Sequence, residues 1–386
     1  MKRFGLLIIV VLTVSAVALP LGYFSDERLK SAFKESEFFF GVTYGQDTVE
    51  EAKLLIDRVQ NYTNLVVVDS FVISNNKTLL DVVCSYAAGK NLRFIVYFFS
   101  LYASDWQREW VVSAKQIWGD KFLGVYLRDE PGGRQIELND TVPNASSYSE
   151  AAEKYVQAVS SSWSMQFLKS EAIPVSTSDF ALYWFDYQAG FDVIFAELGW
   201  NNSRTQEIAL CRGAAIAQGK DWGAIITWTY QNPPYLQSGP ETYQDMVTAY
   251  KAGAKYVLVF NFAKYPQTNP NGTLTDEHFA AMQQFWNYAS SHPRDLAKTR
   301  AEAALVLPDN YGWGMRNIND SIWGLWPAST DNDSALIWQN LNTLIDRYGL
   351  KLDIIYENNT IDSAKYYCRV YLWNETIQLK SCFGCK

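Results

Sequence analysis

The strongest constraint in this sequence is a repeated alternation between two hydrophobic periods. Short apolar runs rich in β-branched and aromatic residues occupy Phe38–Tyr44, Asn64–Ser70, Arg93–Phe99 and Phe122–Arg128. Pro174–Asp179, Asp192–Trp200, Trp222–Tyr230 and Tyr256–Ala263 continue the series. Amphipathic segments separate them: Thr48–Asn61, Leu79–Lys90, Ser104–Trp118, Tyr148–Leu168, Arg204–Gly219, Glu241–Ala252 and Asp276–Ala289, with a shorter connection from Phe180 to Gly190. Runs that are apolar on both faces suit a parallel sheet covered by helices. Eight such units in about 250 residues match a closed (β/α)8 TIM barrel. The barrel is expected over 25–298. An open doubly wound sheet is the alternative, but no Gly-rich phosphate turn follows the first strand.

From Ala301 the pattern restarts. Ala303–Leu307, Leu352–Tyr356 and Arg369–Trp373 read as strands, Ala335–Tyr348 as a helix ended by Gly349, and Ile361–Lys365 as a helical turn. This predicts a small three-stranded α/β domain, Rossmann-like or flavodoxin-like, over 299–386. No low-complexity linker precedes it, so the two domains should pack together. Trp313, Trp323 and Trp326 in the intervening loop are the expected glue.

The first residues bear on location. Met1-Lys2-Arg3 is positive, Phe4–Phe24 is uncharged, and Ala16-Val17-Ala18 has the small-x-small form of a cleavage site. Residues 1–24 therefore read as a signal peptide or an N-terminal membrane anchor, and both readings remain open. Ten of the 23 asparagines open an Asn-x-Ser/Thr sequon: Asn61, Asn76, Asn139, Asn144, Asn201, Asn271, Asn319, Asn332, Asn358 and Asn374. An exported, glycosylated chain at or beyond the cell surface is the expectation. Cys84 and Cys211 fall in helical patterns as small apolar groups, while Cys368, Cys382 and Cys385 cluster where a disulfide is plausible. A net charge of −8 and a pI near 5.0 argue against nucleic acid as a partner. With only His278 and His292, a His-rich metal centre or a Ser-His-Asp triad is excluded, and no metal or cofactor is expected.

In such barrels the reacting groups project from the C-terminal ends of strands. Those ends offer Tyr44, Asp69, Tyr97, Arg128-Asp129-Glu130-Pro131, Asp179, Glu197 with Trp200, Trp228 with Tyr230, and Asn261. Glu130 and Glu197 stand out. Cleaving a glycosidic bond takes one protonated carboxyl to feed the leaving oxygen and one ionised carboxyl to attack or activate water. The bland readings are specific too. Asp129-Glu130-Pro131-Gly132-Gly133 could simply cap and turn, and Glu197 could pair with Arg128 or Arg204. Asp69 and Asp179 could cap, and the aromatic residues could plug the core.

The segment Gly124-Val125-Tyr126-Leu127-Arg128-Asp129-Glu130-Pro131 resembles the fourth strand of retaining (β/α)8 glycoside hydrolases. In their largest clan Asn-Glu-Pro ends that strand, and the resemblance implies Glu130 as acid/base. Here Asp129 replaces the Asn, and strand seven carries Trp228, Thr229 and Tyr230 where that clan has its nucleophile. The candidate second carboxylate is thus Glu197 on strand six. The two-domain layout is also similar to β-galactosidases whose barrel precedes an amidotransferase-like domain.

The leading expectation is an extracellular glycoside hydrolase acting on a polysaccharide or glycan. Glu130, Glu197 and Asp129 would be catalytic. Tyr44, Asp69, Tyr97, Asp179, Trp200, Trp228, Tyr230 and Asn261 would line the sugar site. A non-catalytic carbohydrate-binding or cell-envelope barrel is the first alternative. The second is a substrate-assisted hexosaminidase in which Asp129 orients a 2-acetamido group and Glu130 is the acid.

Overall fold

The computed structural model describes residues 38–98, 101, 103–262, 269–295, 298–357 and 366–377. The expected leader 1–24, the turn at 361–365, the Asn358 sequon, Cys382 and Cys385 lie outside the described residues. Among those described, no helix is long and apolar enough to cross a membrane.

Eight parallel strands close into a barrel in sequence order: β1 Phe39–Tyr44, β2 Leu65–Val68, β3 Arg93–Phe98, β4 Phe122–Leu127, β5 Val175–Asp179, β6 Val193–Leu198, β7 Asp221–Ile226 and β8 Tyr256–Val259. Side chains alternate between the two faces of each strand, so two apolar layers form. Phe39, Leu65, Val67, Ile95, Tyr97, Tyr126, Phe195, Ile225 and Leu258 fill the interior. Their neighbours, such as Phe40, Val66, Val96 and Ile194, pack outward against the helices.

All eight expected barrel strands are shorter than read. β6 stops at Leu198, β7 at Ile226 and β8 at Val259, leaving Trp200, Trp228, Tyr230 and Asn261 on loops. Aromatic residues continue the strand pattern past the last ladder bond, because the mouth itself is apolar-walled. The long helix expected over 148–168 is two helices, Tyr148–Ser160 and Trp163–Ser170. Ser162 caps the second by accepting from the Met165 N–H, and that local bond competes with continuing the first. The short connection after β5 holds a seven-residue helix, Tyr183–Ala189. Pro131–Leu138, which begins inside the possible Asp129–Gly133 turn, is a helix with proline in its first turn.

The C-terminal segment forms a second parallel sheet, ordered β10-β9-β11 from β9 Ala303–Leu307, β10 Leu352–Tyr356 and β11 Arg369–Leu372. The described residues of the barrel and the small sheet make one compact unit. β10 lies on the barrel helix Arg204–Ala217, where a Cβ at Gly213 would fall 2.3 Å from the Ile354 carbonyl oxygen. There Arg212 reaches into the small sheet. Its Nε donates to Asp353 Oδ1 at 2.7 Å and its Nη2 to the Leu350 and Leu352 carbonyls, while Nη1 donates to Ala252 O on the barrel. Trp323 rests on Phe185 and Tyr155, and Trp326 on Tyr148, so two of the three expected tryptophans do bridge to barrel helices. Trp313 instead faces Trp338 of the small domain's own helix. Cys84 and Cys211 are buried free thiols, and Cys368 is disulfide-bonded.

Candidate active site

β4 ends at Leu127, and the chain then turns sharply. Arg128 has φ 53° and Glu130 has φ 48°, ψ 50°, a left-handed conformation that costs a non-glycine residue about 1–3 kcal/mol. Neighbouring groups hold it there. The Glu130 N–H donates to Ser178 O at 3.1 Å, and Thr177 Oγ1 donates to Arg128 O at 2.5 Å. The N–H groups of Gly132 and Gly133 donate to the Asp179 carboxylate. A Cβ at Gly132 would lie 2.5 Å from Ala181 O, so only glycine lets this turn close on β5. The result aims the Glu130 side chain into the mouth.

Glu197 comes from β6, two strands away, with 4 % of its surface exposed. Its Oε1 accepts from Ser178 Oγ at 2.5 Å, and its carboxyl hydrogen-bonds that of Glu130. Two carboxyl groups in such contact must share a proton. Burial, then the charge of neighbouring carboxylates, raises both: Glu130 to about 8 and Glu197 well above the ordinary range. Asp129 opens to the water of the cleft, yet the barrel wall crowds it, and burial raises it despite donation from the Tyr126 hydroxyl.

Neither arginine considered as a partner for Glu197 reaches it in this network. Arg128 Nη2 donates to Asp140 at 3.0 Å and to Thr141. Arg204 donates to Asp245 and to the carbonyls of Gly199, Trp200 and Asn202. The acidity of the mouth is therefore contained by shared protons and hydroxyl donors.

The remaining expected residues divide into three groups. Asp69 and Tyr97 belong to the mouth. Asp69 is 6 % exposed and raised by burial and by Asp129, while Tyr97 packs at 4.9 Å and a tilt of 38° against Tyr126 and accepts from the Asp129 backbone N–H. Trp200 and Tyr230 stand on the rim, 41 % and 50 % exposed. Trp228 is half-buried, stacked on Tyr235 at 4.8 Å with its Nε1 donating to Phe262 O. Three others spend their polar atoms on the fold. Tyr44 donates to Thr48 O at 2.5 Å and accepts from Thr48 N, closing the first loop. Asn261 Oδ1 accepts from Thr273, and only its Nδ2 is left without a partner among the described residues. Asp179 is fully buried and accepts four backbone N–H groups, so a sugar contact there is replaced by a structural one.

Sequence reasoning passed over Tyr126 and Ser178, which link Asp129 to Glu197. A signal was present. The β5 sequence Val175-Ser176-Thr177-Ser178-Asp179 is polar yet wholly buried, and buried hydroxyls need partners. Among the described residues no group of three or more His, Cys, Asp or Glu could hold a metal ion.

No family model matches this sequence, and no curated protein matches it. In structure the chain is similar to the GH5_18 protein of Streptomyces cattleya, solved with GlcNAc: TM-score 0.53, 11 % identity, 87 % of this chain and 98 % of that one. It is also similar to an endo-β-1,4-mannanase of Thermotoga petrophila, at TM-score 0.44 and 9 % identity over 68 % of this chain and 80 % of that one. These similarities agree with the fold described above, a closed (β/α)8 barrel followed by a small C-terminal α/β sheet.

Proposed function

We propose that this protein is an exported glycoside hydrolase that cleaves a glycan through Glu130 and Glu197. The observation that carries the reading is the contact between these two raised carboxyl groups at the ends of β4 and β6. A sugar ring entering between them separates the pair and divides its proton. Glu130, beside the cleft water, protonates the leaving oxygen while Glu197 attacks the anomeric carbon. Glu130 then takes a proton from the water that releases the sugar. Ser178 holds Glu197 in line, and Trp200 and Tyr230 offer flat faces to flanking sugars.

Export is supported by the sequons, of which Asn61, Asn76, Asn144, Asn201, Asn319, Asn332 and Asn374 are exposed. A specific observation keeps the substrate-assisted scheme as the second reading. Asp129 is open to the cleft with its carboxylate aligned by Tyr126, as an orienting group requires.

The test is release of reducing ends from soluble polysaccharides and N- and O-glycans, by the wild type and by Glu130→Gln. The proposal expects at least one substrate to be cleaved. The variant should lose about 100-fold or more in kcat while still binding it. Binding without cleavage by the wild type would leave a carbohydrate-binding barrel.

A further inference from the structure

The buried face behind the Glu130 turn holds a second pair of carboxyl groups that the proposed chemistry does not use. Asp179, at the end of β5, and Asp186, on the helix Tyr183–Ala189, are both fully buried and hydrogen-bond to each other. We propose that Asp186 is a permanently protonated acid that donates to Asp179, and that this pair positions Glu130 by clamping the first turn of its helix.

The bonding pattern around Asp179 leaves it no room for a proton. Oδ2 accepts from Gly132 N at 2.5 Å. Oδ1 accepts from Gly133 N, Phe180 N and Ala181 N at 2.8, 2.8 and 3.0 Å. It is an acceptor on every side. Asp186 differs: Oδ1 accepts from Tyr155 Oη at 2.5 Å, but buried Oδ2 has no donor within reach among the described residues. A buried carboxylate oxygen without a donor is costly, and an ionised Asp186 beside ionised Asp179 more so. One proton on Asp186 Oδ2 resolves both, because the oxygen becomes the donor that Asp179 accepts.

The other groups facing the pair offer no compensating charge. They are Tyr155, Tyr183, Glu130, Glu197, Glu207 and Cys211, with Glu207 itself raised to about 8 by burial and its Oε2 accepting from Tyr183. Arg128 is the cation whose field reaches Asp186, and its guanidinium donates to Asp140 and Thr141. Asp179 thus carries the one negative charge of the pair, at the N-terminus of the helix Pro131–Leu138. There it satisfies two of the amides that no intrahelical carbonyl can reach. Those amides follow the left-handed Glu130 directly, so releasing them lets that residue relax and swing its carboxyl away from Glu197.

Naming this a positioning device rests on the function proposed for Glu130, but the clamp can be measured without any substrate. Amides in a first helical turn ordinarily exchange fast. Here Gly132 and Gly133 should be slow in hydrogen–deuterium exchange of the full chain, and Glu130 should titrate near 8 by carboxyl carbon NMR. Asp186→Asn keeps a donor toward Asp179 and an acceptor for Tyr155, and is expected to match the wild type in both readouts. Asp186→Ala removes the donor: the two amides should exchange about tenfold faster or more, and Glu130 should fall toward the ordinary glutamate range. Asp186→Ala indistinguishable from wild type would overturn the proposal. So would Asp186→Asn failing to fold or behaving like the alanine variant. A chain that passes both tests yet cleaves no glycan would retain the clamp and lose the enzymatic reading.

Discussion

Replacing Arg212 tests how the small sheet is held to the barrel. Its guanidinium is 2 % exposed and Asp353 is fully buried. Its donors serve Asp353 and the carbonyls of Ala252, Leu350 and Leu352. Arg212→Met would leave a buried carboxyl supported, among the described residues, only by Tyr367 Oη at 2.9 Å, and three carbonyls without this donor. Breaking one side of such a pair typically costs about 3–5 kcal/mol, whereas replacing both partners by apolar groups is often nearly neutral. Arg212→Met should therefore lower unfolding free energy in urea by about 3–5 kcal/mol, and adding Asp353→Leu should restore part of it. Burial already raises Asp353 even with the arginine present. Without Arg212 that carboxyl holds its proton to higher pH, so its stabilisation is lost as pH rises through the folded value. The deficit of Arg212→Met should then be smaller at pH 5 than at pH 8. A single-mutant loss below about 1 kcal/mol, or a double mutant equal to the sum of the singles, would refute this account of the interface.

Three further outcomes follow from the site. Glu130 and Glu207, each raised to about 8, add stability that is complete below the ordinary glutamate range and lost as pH rises to about 8. The Tm should therefore be higher at pH 5 than at pH 8.5, and Glu130→Gln with Glu207→Gln should flatten that slope. Gly132→Ala, whose Cβ would meet the Ala181 carbonyl oxygen at 2.5 Å, should cost about 1–3 kcal/mol in denaturant unfolding. Leu138→Ala on the exposed end of the same helix should change little. Trp200→Ala and Tyr230→Ala should weaken oligosaccharide binding about 5-fold or more in calorimetry, each with Tm shifted by under about 2 °C, because both rings are exposed.

The barrel was legible because its signal is repeated eight times and rests on burial. β1 to β6 and β8 fall inside the apolar runs, β7 starts one residue ahead of its run at Asp221, and Gly349 ends the C-terminal helix as expected, with φ 50°. Boundaries were less legible where one residue type serves two purposes. Trp228 and Tyr230 continue the β7 pattern, yet they sit on a loop, because aromatic residues suit both a strand and an apolar mouth. At the site, Glu130 and Glu197 could be picked out because charge at a barrel strand end needs a reason. Asp179 also stands at a strand end and was expected to line the sugar site, with capping as its other reading. What separates it is the Gly132–Gly133 backbone folding over it, a long-range contact that no local pattern encodes. The Tyr126–Ser178 link across β4 and β5 was hidden for the same reason.

The most direct test of the central claim is covalent trapping of the second carboxylate. The wild type would be incubated with 2-deoxy-2-fluoro glycosides carrying good leaving groups, built on whichever sugar the reducing-end assay identifies. The adduct would then be mapped by peptide mass spectrometry. The account predicts one glycosyl ester, on Glu197, absent from Glu197→Gln and released with retained anomeric configuration. An ester on another residue, inversion at the anomeric carbon, or turnover confined to 2-acetamido substrates without any adduct would contradict it.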